Sequence, residues 1–448
     1  MKMRQRGPCF VVWGALLFPL GATAVARAQT ATAPSSAPFA EPQAAGPVSA
    51  PAPASMPDSN PEPGAEELAE IQAALAADTA ARVAPASTDS TSSSELAPPE
   101  SGLTAGNALN PAISLIGDVA LAYFSQERNL QRGGHDPTQT GFNLQQLELS
   151  VQAAIDPYFT FNSNIVFSLF GVEVEEAYGT TTSLPYNMQL RAGQFLTRFG
   201  RANPTHPHSW DMVDQPIVIG KFFGSEGNRG LGTELSVLLP LPWYVEPVLA
   251  VLGDSGGATC RSFYGNTPRP IQSPTDLIYV GALKQFFPLS QDWSLAWGLS
   301  TAMGPNASGA GNRTDIFGTD LYVKWRPISY GSYTVVALET EWMLRRRQLP
   351  GDLLQDWGGY TKLFWRFAQR WAVAGRYDVV SGVAKDPLDP EQTSAEHRLA
   401  VNISFWPTEF SRLRLQYSVD LPTYRDQPIH AVFLTLELVS GAHGAHQF

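Results

Sequence analysis

Between Leu196 and Asn228 the chain gathers Arg198, Arg201, His206, His208, Asp211 and Asp214, a set of side chains able to hold ions and protons. Imidazole nitrogens and carboxylate oxygens suit zinc and similar borderline cations, and His206-Pro207-His208 offers two imidazoles side by side. Pro204 and Pro207 restrict the backbone around them and lower the entropic cost of presenting both rings. Two readings stand open. The stretch is a metal-binding pair, or it is a rigid, hydrogen-bonded loop whose Arg198, Arg201, Asp211 and Asp214 narrow an enclosed passage. A second pair, His443 and His446, lies near the end, so two short pairs hold four of the seven histidines. That tail either adds ligands or carries its histidines idly. No cofactor is required, and zinc is the one candidate.

Catalysis finds little support. His397 and His430 are the only histidines in strand-like runs, and neither sits in a nucleophile motif. Neither a P-loop nor a dinucleotide fingerprint occurs, so no enzyme is expected. Arg345-Arg346-Arg347 reads as a strand end that recruits anions, meets lipopolysaccharide phosphates, or lies solvated.

The elements that would position these residues begin after an exported leader. Lys2, Arg4 and Arg6 precede an apolar run from Cys9 to Leu20, and Ala26-Arg27-Ala28 supplies a small-x-small cleavage site. Residues 1–28 are therefore expected to be a signal peptide. Residues 29–109 are rich in Ala, Pro, Ser and Thr and are expected to be disordered, because such a segment buries too little apolar surface to offset its ordering entropy. Within them, AEELAEIQAALAADTAARV over residues 65–83 reads as an oligomerising helix or a loosely helical linker. After the leader Cys260 is the one cysteine, which excludes an internal disulfide and a cysteine-pair zinc site. The formal charge of −11 is uneven: residues 29–100 hold ten acids against Arg82 and the leader holds four bases, leaving −6 from residue 101 onward. No basic cluster marks a nucleic-acid partner.

From Pro111 the hydrophobic period becomes two. Ile113, Leu115, Val119, Leu121 and Tyr123 share one parity, and Leu147, Leu149, Val151, Ala153 and Ile155 repeat it. The same alternation returns at Leu235 to Leu239, Trp293 to Leu299 and Leu413 to Val419. The opposite parity carries Arg191, Glu339, Glu341, Arg376, Arg412 and Arg414, a charge density that suits a wet lumen. Short links such as Asp156-Pro157, Ser183 to Asn187 and Pro407 to Phe410 alternate with longer ones, among them Ser125 to Thr140, Leu196 to Asn228 and Arg345 to Asp356. Aromatics at Trp243, Tyr244, Trp293, Trp325, Tyr330, Trp371 and Trp406 stand beside the short links, as an interfacial girdle does. The expected fold is all-β: a transmembrane antiparallel β-barrel of about 16 strands over residues 110–448, in the bacterial outer membrane.

Glu175-Glu176-Ala177-Tyr178, Gly193-Gln194-Phe195 and Phe199-Gly200 resemble motifs of the phosphate-selective porin O and P family. The run from Asn203 to Val218 and the terminal GAHGAHQF resemble a group called zinc-regulated outer-membrane receptors, though no plug domain precedes the barrel. The first resemblance implies a homotrimeric diffusion channel with an outward loop folded into the lumen. Leu196 stands where that family places a lysine, so its basic ladder does not carry over. The expected function is a porin-like channel for small hydrophilic solutes or ions, constricted by residues 196–228; the alternative is a metal-associated receptor or uptake protein using His206/His208 and His443/His446. Outer-membrane lipid, lipopolysaccharide and the solutes are the expected partners.

Overall fold

The computed structural model describes residues 111–169, 171–253, 260–265, 271–328 and 333–441. The leader, the tail with the stretch 65–83 read above as a helix or helical linker, Tyr330, His443 and His446 lie outside them. Sixteen strands follow one another: Ala112–Phe124 (β1), Gly141–Asp156 (β2), Phe159–Ser168 (β3), Gly171–Thr181 (β4), Met188–Leu196 (β5), Arg229–Val237 (β6), Tyr244–Gly253 (β7) and Ile278–Pro288 (β8). The circuit continues through Trp293–Pro305 (β9), Arg313–Trp325 (β10), Val335–Leu349 (β11), Asp352–Ala368 (β12), Trp371–Val380 (β13), Glu396–Thr408 (β14), Ser411–Pro422 (β15) and Ile429–Gly441 (β16). Every strand pairs antiparallel with its chain neighbours, and β1 closes on β16 from Ser114↔Gly441 to Phe124↔Ala431. Closure leaves no strand edge unpaired, which is the condition for crossing hydrocarbon with strands. No helix among the described residues is long and apolar enough to cross a membrane.

The period of two sorts the wall. On β14 Leu399 and Val401 are exposed outward while Arg398, Ala400 and Asn402 are buried inward. The same holds along β1, where Ile113, Leu115, Val119, Leu121 and Tyr123 face out and Asp118 faces in. Trp293 and Trp325 pair across neighbouring strands at the short-turn end with ring centroids 6.2 Å apart.

Three expectations need correcting. Arg345 to Asp356 is not a long link: β11 and β12 are joined directly by the Pro350-Gly351 turn, with Gly351 at φ +75°. Arg345 and Arg347 consequently sit inside a strand on the inward parity, where Arg345 pairs with Asp356 at 2.8 Å and Asp386 at 2.8 Å; Arg346 alone of the three faces out. The lumen face is also not simply wetted. A six-residue helix, Ile217–Phe222 (α1), packs with Phe199 and Phe223 against Leu252, Ile278, Val280, Ile316 and Val380 to make a dry core inside the barrel. The wall supplies apolar residues on its inward parity there because the loop that carries α1 has its own apolar face to bury.

Two mid-strand bulges interrupt the alternation. Gln146 pairs with Asp118 but Leu144 with Val119, so Gln145 is an extra residue on β2. Glu176 pairs with Asn164 but Val174 with Ile165, so Glu175 is an extra residue on β4. Each bulge turns two consecutive side chains inward: Gln145 with Gln146, and Glu175 with Glu176, all buried. Gln194 fills the second bulge, donating from Nε2 to the Val174 carbonyl at 2.5 Å and the Glu175 carbonyl at 3.3 Å. Next to it Gly193 has φ +134°, and a Cβ there would lie 2.2 Å from the Ala177 oxygen, so this place in the motif admits only glycine.

Candidate functional site: a loop clamped across the lumen

The connection from β5 to β6, residues 197–228, turns into the barrel and ties itself to the wall. Its first anchor is Phe199-Gly200-Arg201-Ala202. The Gly200 N–H donates to Ser300 Oγ at 2.9 Å, and the Arg201 and Ala202 N–H groups donate to Glu341 Oε2 at 3.3 and 3.0 Å. Gly200 has φ +59°, and a Cβ there would stand 1.7 Å from Glu341 Oε1. Lys284 Nζ donates to the Gly200 carbonyl from β8.

The residues expected to line a constriction all face the wall. Arg198 forms a fork with Glu234 at 2.7 Å and Glu246 at 2.6 Å. Burial works against its charge and these two carboxylates more than restore it, so the guanidinium pKa is raised. Arg201 lies 3.3 Å from Glu339, with its guanidinium 3.7 Å from the centre of the Tyr322 ring. Asp211 accepts from Lys362 at 2.8 Å, and Lys362 also reaches Glu339 at 3.2 Å. Asp214 sits between Arg376 at 3.1 Å and Arg398 at 2.8 Å. Arg376 and Arg398 lie on β13 and β14, half the sixteen-strand circuit away from β5 and β6. The loop therefore spans the lumen from one side to the other.

The expected lumen residues complete this lattice. Arg191 joins Glu234 at 3.0 Å and stacks over Phe195. Arg412 donates to the Trp210 and His208 carbonyls and pairs with Glu437 at 2.5 Å. Arg414 donates to the Met212 carbonyl at 3.0 Å and pairs with Asp118 at 2.7 Å. Glu339 and Glu341 both accept from the Tyr360 hydroxyl. Asp420, on the same face as Arg412 and Arg414, pairs instead with Arg398 at 2.5 Å.

Below the loop, toward the short turns, a cavity of about 570 Å³ opens among Phe286, Tyr322, Lys324 and Arg326, with Arg201 at its head. Phe286 shares the inward parity of Lys284 and yet is 42% exposed, because it faces this space and not a neighbour.

His206 and His208 lie face to face, ring centroids 5.7 Å apart, and turn to different carboxylates. His206 Nε2 is 2.8 Å from Glu176, and His208 Nδ1 is 3.2 Å from Glu148. Burial disfavours charging His206, but the carboxylates of Glu175 and Glu176 outweigh it and hold its pKa well above the ordinary imidazole value. A third imidazole joins them. His135, from the connection between β1 and β2, lies 2.7 Å from Glu175 and 3.5 Å from Glu226. Among the described residues two groups bring three ligand atoms within 4.8 Å of one another: His135 with Glu175 and Glu226, and His206 with Glu148 and Glu175. His208 is in neither. Sequence reasoning missed His135, Glu148 and Glu226, which have no spacing signature, and used Glu175 only as a motif residue. One signal was present. Adjacent acids in a strand of period two would put one carboxylate in lipid unless a bulge intervened.

No protein-family model matches the chain. An uncharacterized protein of Aquifex aeolicus (strain VF5) is 33% identical over 353 residues, which cover 70% of this chain and 73% of that one. The chain belongs to that protein's family. Among solved structures, the high-pH structure of Pseudomonas putida OprB is similar with a TM-score of 0.50 at 11% identity, over 74% of this chain and 94% of that one. The outer membrane channel DcaP of Acinetobacter baumannii is matched with a TM-score of 0.49 at 10% identity, over 74% of this chain and 96% of that one. At 11% identity the likeness to OprB is one of fold. With its closed circuit and its apolar outer face, this member of that family is a transmembrane β-barrel of the bacterial outer membrane.

Proposed function

We propose that the protein is a porin-like channel for small hydrophilic solutes or ions, in which residues 196–228 form the constriction. The observation that carries this reading is the Asp214 bridge to Arg376 and Arg398, which fixes the loop to the far wall of a closed barrel. A loop held this way leaves only what lies beside it for passage, and the 570 Å³ cavity under Arg201 supplies a vestibule at the short-turn end. Selection is then steric at the loop and electrostatic along the wall, and the net charge of −6 beyond residue 100 favours cations over anions. The Glu175-Glu176-Ala177-Tyr178 and Gly193-Gln194-Phe195 motifs support kinship with the porin O and P group, and a homotrimer belongs to the same proposal. Planar bilayers loaded with purified chain lacking residues 29–100 test the reading through conductance and reversal potential. Discrete conductance steps support it; a silent bilayer with correctly folded barrel sinks it.

A second reading, a metal-associated receptor or uptake protein, is favoured by His206 lying among Glu148, Glu175 and Glu176. Zinc titration of the His206→Ala/His208→Ala chain and of a chain ending at Gly441 tests it, and affinity unchanged in both removes it.

A further inference from the structure

We propose that Glu175, shared by one donor set with His135 and Glu226 and a second with His206 and Glu148, centres a site for a divalent transition cation that fastens the inward loop to the β2–β4 wall. This deepens the metal-associated reading above and rests on it, not on conductance.

The first ground is how the carboxylates come to be there. Strict alternation would send Glu175 outward, and the extra residue in β4 turns it in beside Glu176. The neighbouring bulge in β2 turns Gln145 in as well, and its Nε2 donates to the His135 carbonyl at 2.8 Å, fixing the third imidazole. Bulges that re-aim side chains gather beside functional sites. Here two of them converge on one cluster.

The second ground is what the cluster lacks. Elsewhere in the lumen Asp214, Glu339, Asp356 and Asp118 face guanidinium or ammonium groups. The ion-pair partners of Glu148, Glu175, Glu176 and Glu226 are imidazoles alone among the described residues. Glu148 Oε1, Glu175 Oε2 and His206 Nδ1 are buried without a hydrogen-bond partner. Buried polar atoms are ordinarily paired, and here Glu175 Oε2 and His206 Nδ1 have only each other, as an ion pair too long for a hydrogen bond, while Glu148 Oε1 has no hydrogen bond at all. His206 Nδ1 and Glu175 Oε2 are 3.6 Å apart, close to the roughly 3.4 Å that separates two ligands of a tetrahedral ion with bonds of about 2.1 Å. A cavity of about 30 Å³ is lined by His135, Glu175, His206 and Glu226, room for one ion or water. Mixed imidazole and carboxylate donors select zinc-like ions over calcium or magnesium, which prefer oxygen throughout.

The ligands come from four places: the β1–β2 connection, β2, β4 and the inward loop. An ion held by either set ties the loop to the wall at β4, a second tether besides the Asp214 bridge to β13 and β14.

Calorimetry with Zn²⁺ on the detergent-folded chain ending at Gly441, which lacks His443 and His446, tests the site. One saturable binding event is expected, weakened at least tenfold by Glu175→Gln. Binding of the same affinity in Glu175→Gln overturns the site, and binding that needs the terminal histidines moves the metal to the tail. X-ray absorption of the zinc-loaded chain ending at Gly441 needs no substitution in the cluster: a shell with imidazole nitrogen and carboxylate oxygen is expected, and a shell without imidazole overturns the proposal.

Discussion

Asp214 and Arg398 meet at 2.8 Å although one belongs to the β5–β6 connection and the other to β14, on opposite sides of the barrel. That contact holds the loop across the lumen. Arg376 shares the carboxylate, while Asp378 and Asp420 back the two guanidinium groups. Removing one partner of a buried pair costs about 3–5 kcal/mol, and the backing acids place Asp214→Ala at the lower end, about 3 kcal/mol. Urea unfolding in detergent reads that loss. Single-channel conductance should rise in the same variant as the loop is freed.

The Gly200 anchor yields a steric prediction. A methyl group at this residue must displace Glu341, whose Oε1 it would approach to 1.7 Å, and must also hold φ +59°. Gly200→Ala is expected to cost about 2 kcal/mol or more. Hydrogen exchange at the Arg201 and Ala202 amides, now protected by Glu341, should quicken before the strands respond. Exchange unchanged at both amides would refute the anchoring role.

The outer loops carry a pH dependence. Asp389 lies 3.1 Å from Arg132 and 2.8 Å from Arg261. Burial raises its pKa, and the two guanidinium groups overcome that and hold it at about 2, below the ordinary 3.8. A depressed carboxyl pKa contributes stability that is full above about pH 4 and is lost as the pH falls toward 2. The difference amounts to about 2 kcal/mol. Thermal midpoints of the native chain should therefore drop over this window by more than those of Asp389→Asn, which has no titrating group there.

Val401 tests the outer face. It is 59% exposed near the middle of β14, with Asn402 beside it facing in. Val401→Arg puts a charge into hydrocarbon and should destabilise the bilayer-folded barrel by about 2–4 kcal/mol. Refolding into lipid vesicles measures this. An equal tolerance of Arg in a soluble, detergent-free preparation would contradict a membrane-facing wall.

Strand positions and their two faces were legible in the chain because alternation is local: each residue's parity fixes its side without reference to distant partners. The sequence alone therefore determined a barrel of about sixteen strands, an apolar exterior at residues such as Leu115 and Leu415, and the loop 196–228 as its unusual connection. It also marked Arg198, Arg201, Asp211 and Asp214 as charges with work to do. Only the tertiary structure decided which wall each charge meets, since Asp214 and Arg398 are brought together by closing the circuit and not by any spacing. It likewise decided that Arg345 is buried, because the turn at Pro350-Gly351 extends β11 past it. The bulge at Glu175 lies between these cases. The paired acids announce a conflict with alternation, but its resolution depends on β3 pairing around one extra residue and on Gln194 filling the gap. Pairing register is a property of two strands together, and no single strand's sequence contains it.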